Sequence, residues 1–123
     1  MRITERTYAG TLVLSPAGRL DHNSCDAFEA ALKPLVERAS AGHSLVLDLS
    51  ALDYVSSAGL RLLMLAGKQA RAQGGRVMIA AMQPLVAEIF YISRFTMLFE
   101  IHPGVREALT AASPESAAAF DQR

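Results

Sequence analysis

The chain has 123 residues, and its twelve Lys and Arg are matched by twelve Asp and Glu, so the formal net charge is zero. Apolar residues make up 51% and charged residues 20%, which suits one globular domain with a substantial core and excludes a disordered polyelectrolyte. The even charge balance, without a basic stripe, argues against a nucleic-acid binder, and a single cysteine, Cys25, excludes an internal disulfide and suits a reducing compartment.

No apolar run approaches the length of a membrane span; the richest patch, Leu60 to Ala66, is too short for direct membrane insertion. The opening MRITERTYAG lacks the apolar centre of a secretory signal. The expectation is a cytoplasmic, single-domain protein.

In chain order, Ile3 to Tyr8 and Thr11 to Ser15 are rich in β-formers on either side of Gly10, which predicts a hairpin. Pro16 has no N–H and is expected to end or bulge the second strand, with Gly18-Arg19-Leu20-Asp21 as the exit loop. Ser24 is placed as an N-cap, with Asp26 in the first turn. Phe28, Leu32, Leu35, Val36 and Ala39 follow at helical spacing. Pro34 inside this helix predicts a kink or a late start, and Gly42 is read as its end.

Ser44 to Leu49 reads as a buried central strand. A helix from about Ser57 to Gln73 carries Leu60, Leu63, Met64, Gly67 and Ala70 on one face. Leu62 and Leu65 widen that stripe, which predicts burial on more than one side. Gly74-Gly75 stops the helix, and Arg76 to Ala80 returns as a strand. Pro84 suits the first position of a third helix ending at Ile92, Met97 to Ile101 a last short strand, and Pro103 to Ala111 a closing helix. SPESAAAFDQR has no apolar period, so a domain over residues 1–112 and a flexible tail over 113–123 are expected. Strands alternating with helices predict an α/β fold with parallel pairing, entered by an antiparallel hairpin.

Ser56 and Ser57 fall where the chain enters the long helix, a place for a cap, a nucleophile or a phosphate acceptor. Val55-Ser56-Ser57-Ala58-Gly59 is half of a hydrolase nucleophile elbow but lacks its first glycine, and His22, His43 and His102 are the available bases. Gly67-Lys68 lies mid-helix without the glycine spacing of a phosphate loop. The histidines show no ligand spacing, so neither a metal nor a cofactor is expected. Cys25 near a helix start is read as a structural thiol in preference to an activated one. From spacing alone, capping is the simplest role for the two serines.

The run DLSALDYVSSAGLRLLMLAGKQARAQGGRVMIAAMQPLVAEIF resembles the core of the STAS domain, the family of bacterial anti-sigma factor antagonists. Gly18-Arg19-Leu20-Asp21 resembles the family's G-x-L-D element, which closes the second strand. This resemblance implies a mixed sheet of four to five strands with about four helices packed mainly on one side. It also implies a partner switch and no enzymatic activity. The unphosphorylated antagonist binds an anti-sigma factor that is itself a serine kinase; phosphorylation of one serine frees the kinase, and a metal-dependent serine phosphatase resets the system.

Aligned with the family pattern D-S-S-G-L on Gly59-Leu60, the acceptor falls at Ser57, Ser56 replaces the aspartate and Ala58 the second serine. Ser56 is therefore an alternative acceptor. Asp21 is expected to be the nearest acid, with Tyr54, Val55 and Leu60 as an apolar rim and Arg61 in reach of a phosphate. The expected partner surface is thus Asp21 with residues 54–61. Ser93-Arg94-Phe95 departs from the family pattern without a functional reading. The alternative is a STAS scaffold subunit, for example of a lipid-transporting ATPase, with no phosphorylation cycle.

Overall fold

The computed structural model describes residues 1–94 and 98–122. Strand β1 (Arg2–Tyr8) and β2 (Thr11–Leu20) form the antiparallel entry hairpin. Its two-residue turn, Ala9-Gly10, has positive φ at both positions (49° and 88°), the geometry that matches the twist of paired strands. The chain continues through α1 (Cys25–Glu37), β3 (Ser44–Asp48), β4 (Leu52–Val55), α2 (Ser57–Ala72), β5 (Arg76–Ala80), α3 (Pro84–Ile92), β6 (Glu100–His102), α4 (Val105–Ala112) and α5 (Pro114–Asp121).

The sheet order is β1-β2-β3-β5-β6, with β4 pairing separately to β2. Among the strand pairs of the described residues, β1–β2 is antiparallel and the other four are parallel. This is a single STAS-like α/β domain with a mixed sheet, of six strands and five helices among the described residues. The added strand is β4, four residues that the sequence reading absorbed into a turn.

Alternation along the central strands sends side chains to two cores. Leu12, Leu14, Leu45, Leu47, Val77 and Ile79 face Phe28, Leu32, Leu63 and Phe90 of α1, α2 and α3. Val13, Val46, Met78 and Ala80 face Ala108 and Leu109 of α4. Three helices therefore cover the front of the sheet, while α4 and α5 cover the back. Pro114–Asp121, within the stretch expected as a flexible tail, forms α5: Ser116 is fully buried and its hydroxyl lies 2.7 Å from that of Thr11 and 2.8 Å from that of Ser113. Phe120 meets Tyr8 edge-on at 5.4 Å.

Several boundaries differ from expectation for local reasons. β2 runs through Pro16 to Leu20, because Pro16 falls between the pairing with β3, which ends at Leu14, and that with β4, which begins at Gly18. No parallel ladder bond is demanded of it there. The irregularity comes later, between Gly18 and Arg19. α1 starts on time and holds Pro34 in its last turns; it stops at Glu37, and Gly42 (φ 84°) serves the turn before β3. α2 ends in a double hydrogen-bonded cap, Gly74 N–H to Arg71 O at 3.0 Å and Gly75 N–H to Ala70 O at 2.8 Å. Along α2, Leu63, Ala66 and Ala70 are buried and Leu62 is half-buried against the same core, whereas Leu65 is 49% exposed, so of the two residues expected to widen the stripe only Leu62 does. The last strand is Glu100–His102; the expected start at Met97, like Phe95, lies outside the described residues.

Candidate functional site

The two serines sit at the carboxyl ends of the parallel strands β2 and β4, the usual place for sites in α/β sheets. Leu20 pairs with Val55, and the next amide, Ser56 N–H, donates to Leu20 O at 2.8 Å. That bond fixes the chain as it leaves β4. Ser56 is extended (φ −84°, ψ 172°), and its Oγ accepts from Gly59 N–H at 3.2 Å. Ser56 is thus the N-cap of α2, satisfying one of the helix's free amides.

Ser57, the first helical residue, is exposed, and its hydroxyl makes no hydrogen bond to a described residue. Ala58 beside it is exposed as well. Gly59 is buried, and a Cβ there would meet Leu20 Cγ at 2.7 Å and Leu20 Cδ2 at 2.9 Å. The glycine therefore lets the first turn of α2 rest directly on the end of β2.

The apolar rim is smaller than expected. Val55 is 2% exposed and belongs to the front core, since its pairing with Leu20 turns it under α2. Leu60 is half-buried against the same core. Tyr54 is half-buried too, and the Arg19 guanidinium lies over its ring, 4.3 Å from the centroid. Arg61, one turn into α2, is exposed.

Asp21 follows Leu20 directly, at the same end of the sheet. Its Oδ1 accepts from Asn23 N–H at 3.0 Å and its Oδ2 lies 3.7 Å from Arg19 Nε. The Asn23 amide foremost, with His22 and Arg19, holds its carboxyl below the usual aspartate range. Ser24 does not cap α1 through its side chain; its hydroxyl donates to Arg19 O at 2.6 Å and accepts from Asp21 N–H at 3.0 Å, latching the loop. Burial, then the charges of Asp21, Asp26 and Glu29, push the Cys25 thiol up, away from thiolate reactivity.

No histidine hydrogen-bonds to Ser56 or Ser57 among the described residues. His43 precedes β3 at the opposite end of the sheet, and His102 lies on the edge strand β6, where its nearest charged partner is Glu100 at 3.8 Å. Among the described residues no group of three or more His, Cys, Asp or Glu is gathered as a metal site, and no helix is long and apolar enough to cross a membrane. Sequence reasoning missed Arg19, because its stacking on Tyr54 depends on the unrecognised strand β4 and its register Arg19↔Tyr54.

The family model described as "Mlab, STAS domain" matches residues 3–100. A Bordetella bronchiseptica protein, provisionally named anti-sigma factor antagonist BtrV, is 36% identical over 112 residues, spanning 91% of this chain and 94% of that protein. An anti-sigma factor antagonist from Mycobacterium paratuberculosis has the same fold with a TM-score of 0.81 at 25% identity, over 90% and 92% of the two chains. The anti-sigma factor antagonist SpoIIAA in its unphosphorylated form aligns with a TM-score of 0.74 at 18% identity, over 89% and 95%. The phosphorylated form of SpoIIAA, the Bacillus cell fate determinant, aligns with a TM-score of 0.69 at 17% identity, over 91% and 100%. The chain belongs to the STAS-domain family, among the anti-sigma factor antagonists.

Proposed function

We propose that this protein is a non-enzymatic anti-sigma factor antagonist whose binding is controlled by phosphorylation of Ser57. In its unmodified form it binds an anti-sigma factor that is a serine kinase, in the cytoplasm, through the surface around Asp21, Tyr54 and residues 56–61. Phosphorylation of Ser57 by that kinase releases it, and a metal-dependent phosphatase restores it. The observation that carries the reading is the division of labour between the serines: Ser56 is committed to the cap, whereas Ser57 presents an exposed hydroxyl without an internal partner.

A phosphate on Ser57 adds about −1.5 to −2 charges beside the free amides of the helix start. The helix terminus offsets this by about 0.3–1 kcal/mol, and the exposed Arg61 four residues on faces the same side of α2. The fold therefore tolerates the group. A partner does not: two like charges about 4 Å apart at an effective dielectric of about 20 repel by about 4 kcal/mol, close to a thousandfold in affinity.

Ser57→Ala is expected to hold the kinase persistently, and Ser57→Asp to bind it poorly. Intact mass after incubation with the kinase and ATP, followed by site mapping, tests the assignment. A phosphate on Ser56, or none at all, would sink it. Co-purification with a membrane ATPase in place of a soluble kinase would establish the scaffold role instead.

A further inference from the structure

We infer that Arg19 is a specificity-determining residue of the partner surface, positioned to receive an acidic side chain of the kinase partner; this rests on the partner-switch reading above. Arg19 is 61% exposed, yet it is held on two sides. The Tyr54 ring lies under its guanidinium at 4.3 Å, and Asp21 Oδ2 approaches its Nε at 3.7 Å. Its backbone is pinned as well, by the Arg19↔Tyr54 pairing and by the Ser24 hydroxyl on Arg19 O.

An exposed arginine normally samples many rotamers and surrenders that freedom on binding. Here the ring and the carboxylate restrict it beforehand. Its Nε edge is turned to Asp21, leaving the two terminal nitrogens, which together can make a forked contact to a carboxylate, for an incoming group. Arginine and tyrosine together are also the residue types that dominate interface energetics.

The location gives this ordering a purpose. The ladder Arg19↔Tyr54, Leu20↔Val55 and the bond from Ser56 N–H to Leu20 O place Arg19 two ladder steps from the start of α2. Arg61, exposed on α2 four residues after Ser57, is a second guanidinium carried by the elements that meet at this end of the sheet. The molecule as a whole is neutral, so attraction to an acidic partner surface must come from such a local arrangement.

The test uses the full chain and the kinase that phosphorylates it, with affinity followed from low to high ionic strength. Arg19→Glu is expected to weaken binding by about tenfold or more. Arg19→Gln should weaken it less and flatten its salt dependence. Thermal midpoints of both variants should match the parent, which separates recognition from folding. Binding of Arg19→Glu within about twofold of the parent, or an unchanged salt slope in Arg19→Gln, overturns the assignment while leaving the switch intact. Failure of the parent chain to bind any serine kinase overturns the switch and the Arg19 role together.

Discussion

Ser56 and Ser57 are chemically identical neighbours that the backbone assigns to different tasks. Ser56 is extended and turns its oxygen to Gly59 N–H; Ser57 has entered the helix, and its oxygen faces outward. Stability should report the difference. Ser56→Ala removes the cap and is expected to cost about 1 kcal/mol. Ser57→Ala removes no internal bond and should stay within about 0.5 kcal/mol of the parent. Urea unfolding of the two variants measures both, and equal losses would mean that the cap is shared. The sequence set Ser57 as the acceptor by alignment on Gly59-Leu60 and kept Ser56 as the alternative, because Ser56 stands one position earlier, where the family pattern has an aspartate. That single position is the one that matters here.

The elements legible in the sequence were those with their own periodicity or punctuation. Phe28, Leu32, Leu35 and Val36 mark α1, the Gly74-Gly75 pair marks the end of α2, and Pro84 opens α3. The two elements that went unread lack such signals. β4 is four residues long and includes an exposed Asp53, so it shows no clean alternation; it exists because the end of β2, past Pro16, needs a partner. α5 is a run of small residues, Ser116 to Ala119, with no apolar stripe, and is held by contacts distant in sequence.

Those contacts make a prediction. Ser116→Ala would leave the buried Thr11 hydroxyl without a partner, an expected loss of about 1–3 kcal/mol. Thr11→Val keeps the Ser116–Ser113 bond and should cost less. Chemical denaturation of both variants checks the order; the reverse ranking would show that Ser113 alone does not satisfy Ser116.

For the whole molecule, the pairing of Arg76 with Glu100 ties the edge strand β6 to β5. Nε and Nη2 of Arg76 donate to the two carboxylate oxygens at 2.7 and 2.6 Å, and Nη1 donates to Ala111 O of α4 at 3.1 Å. Hydrogen bonding from Arg76 holds the Glu100 carboxyl below the usual glutamate range. Because the folded value is depressed, the contribution to stability is present above the ordinary glutamate pKa of about 4.3 and is lost as pH falls through the folded value. Both side chains are substantially exposed, so solvent screens the effect. Glu100→Gln should be less stable than the parent at neutral pH, with the gap closing at acid pH. Unfolding curves across a pH series would show this, and a pH-independent gap would assign the loss to shape.

At the same scale, the family resemblance in residues 18–21 and 48–90 carried the architecture correctly, including its mixed sheet. It did not convey that the back of the sheet is roofed by α4 and α5, which both lie beyond the end of the matched region at residue 100.

The bond from Ser56 N–H to Leu20 O, described above as fixing the exit of the chain from β4, has a consequence for timing. It fastens the start of α2 to the sheet, so a group added to the neighbouring hydroxyl meets a surface that is already set. If Ser57 is the acceptor, the added charge would act at a site the sheet already holds in place. On the proposed switch, the delay between stimulus and response would then belong wholly to the enzymes that write and erase the phosphate. The chain itself would contribute no lag and keep no trace of its previous state.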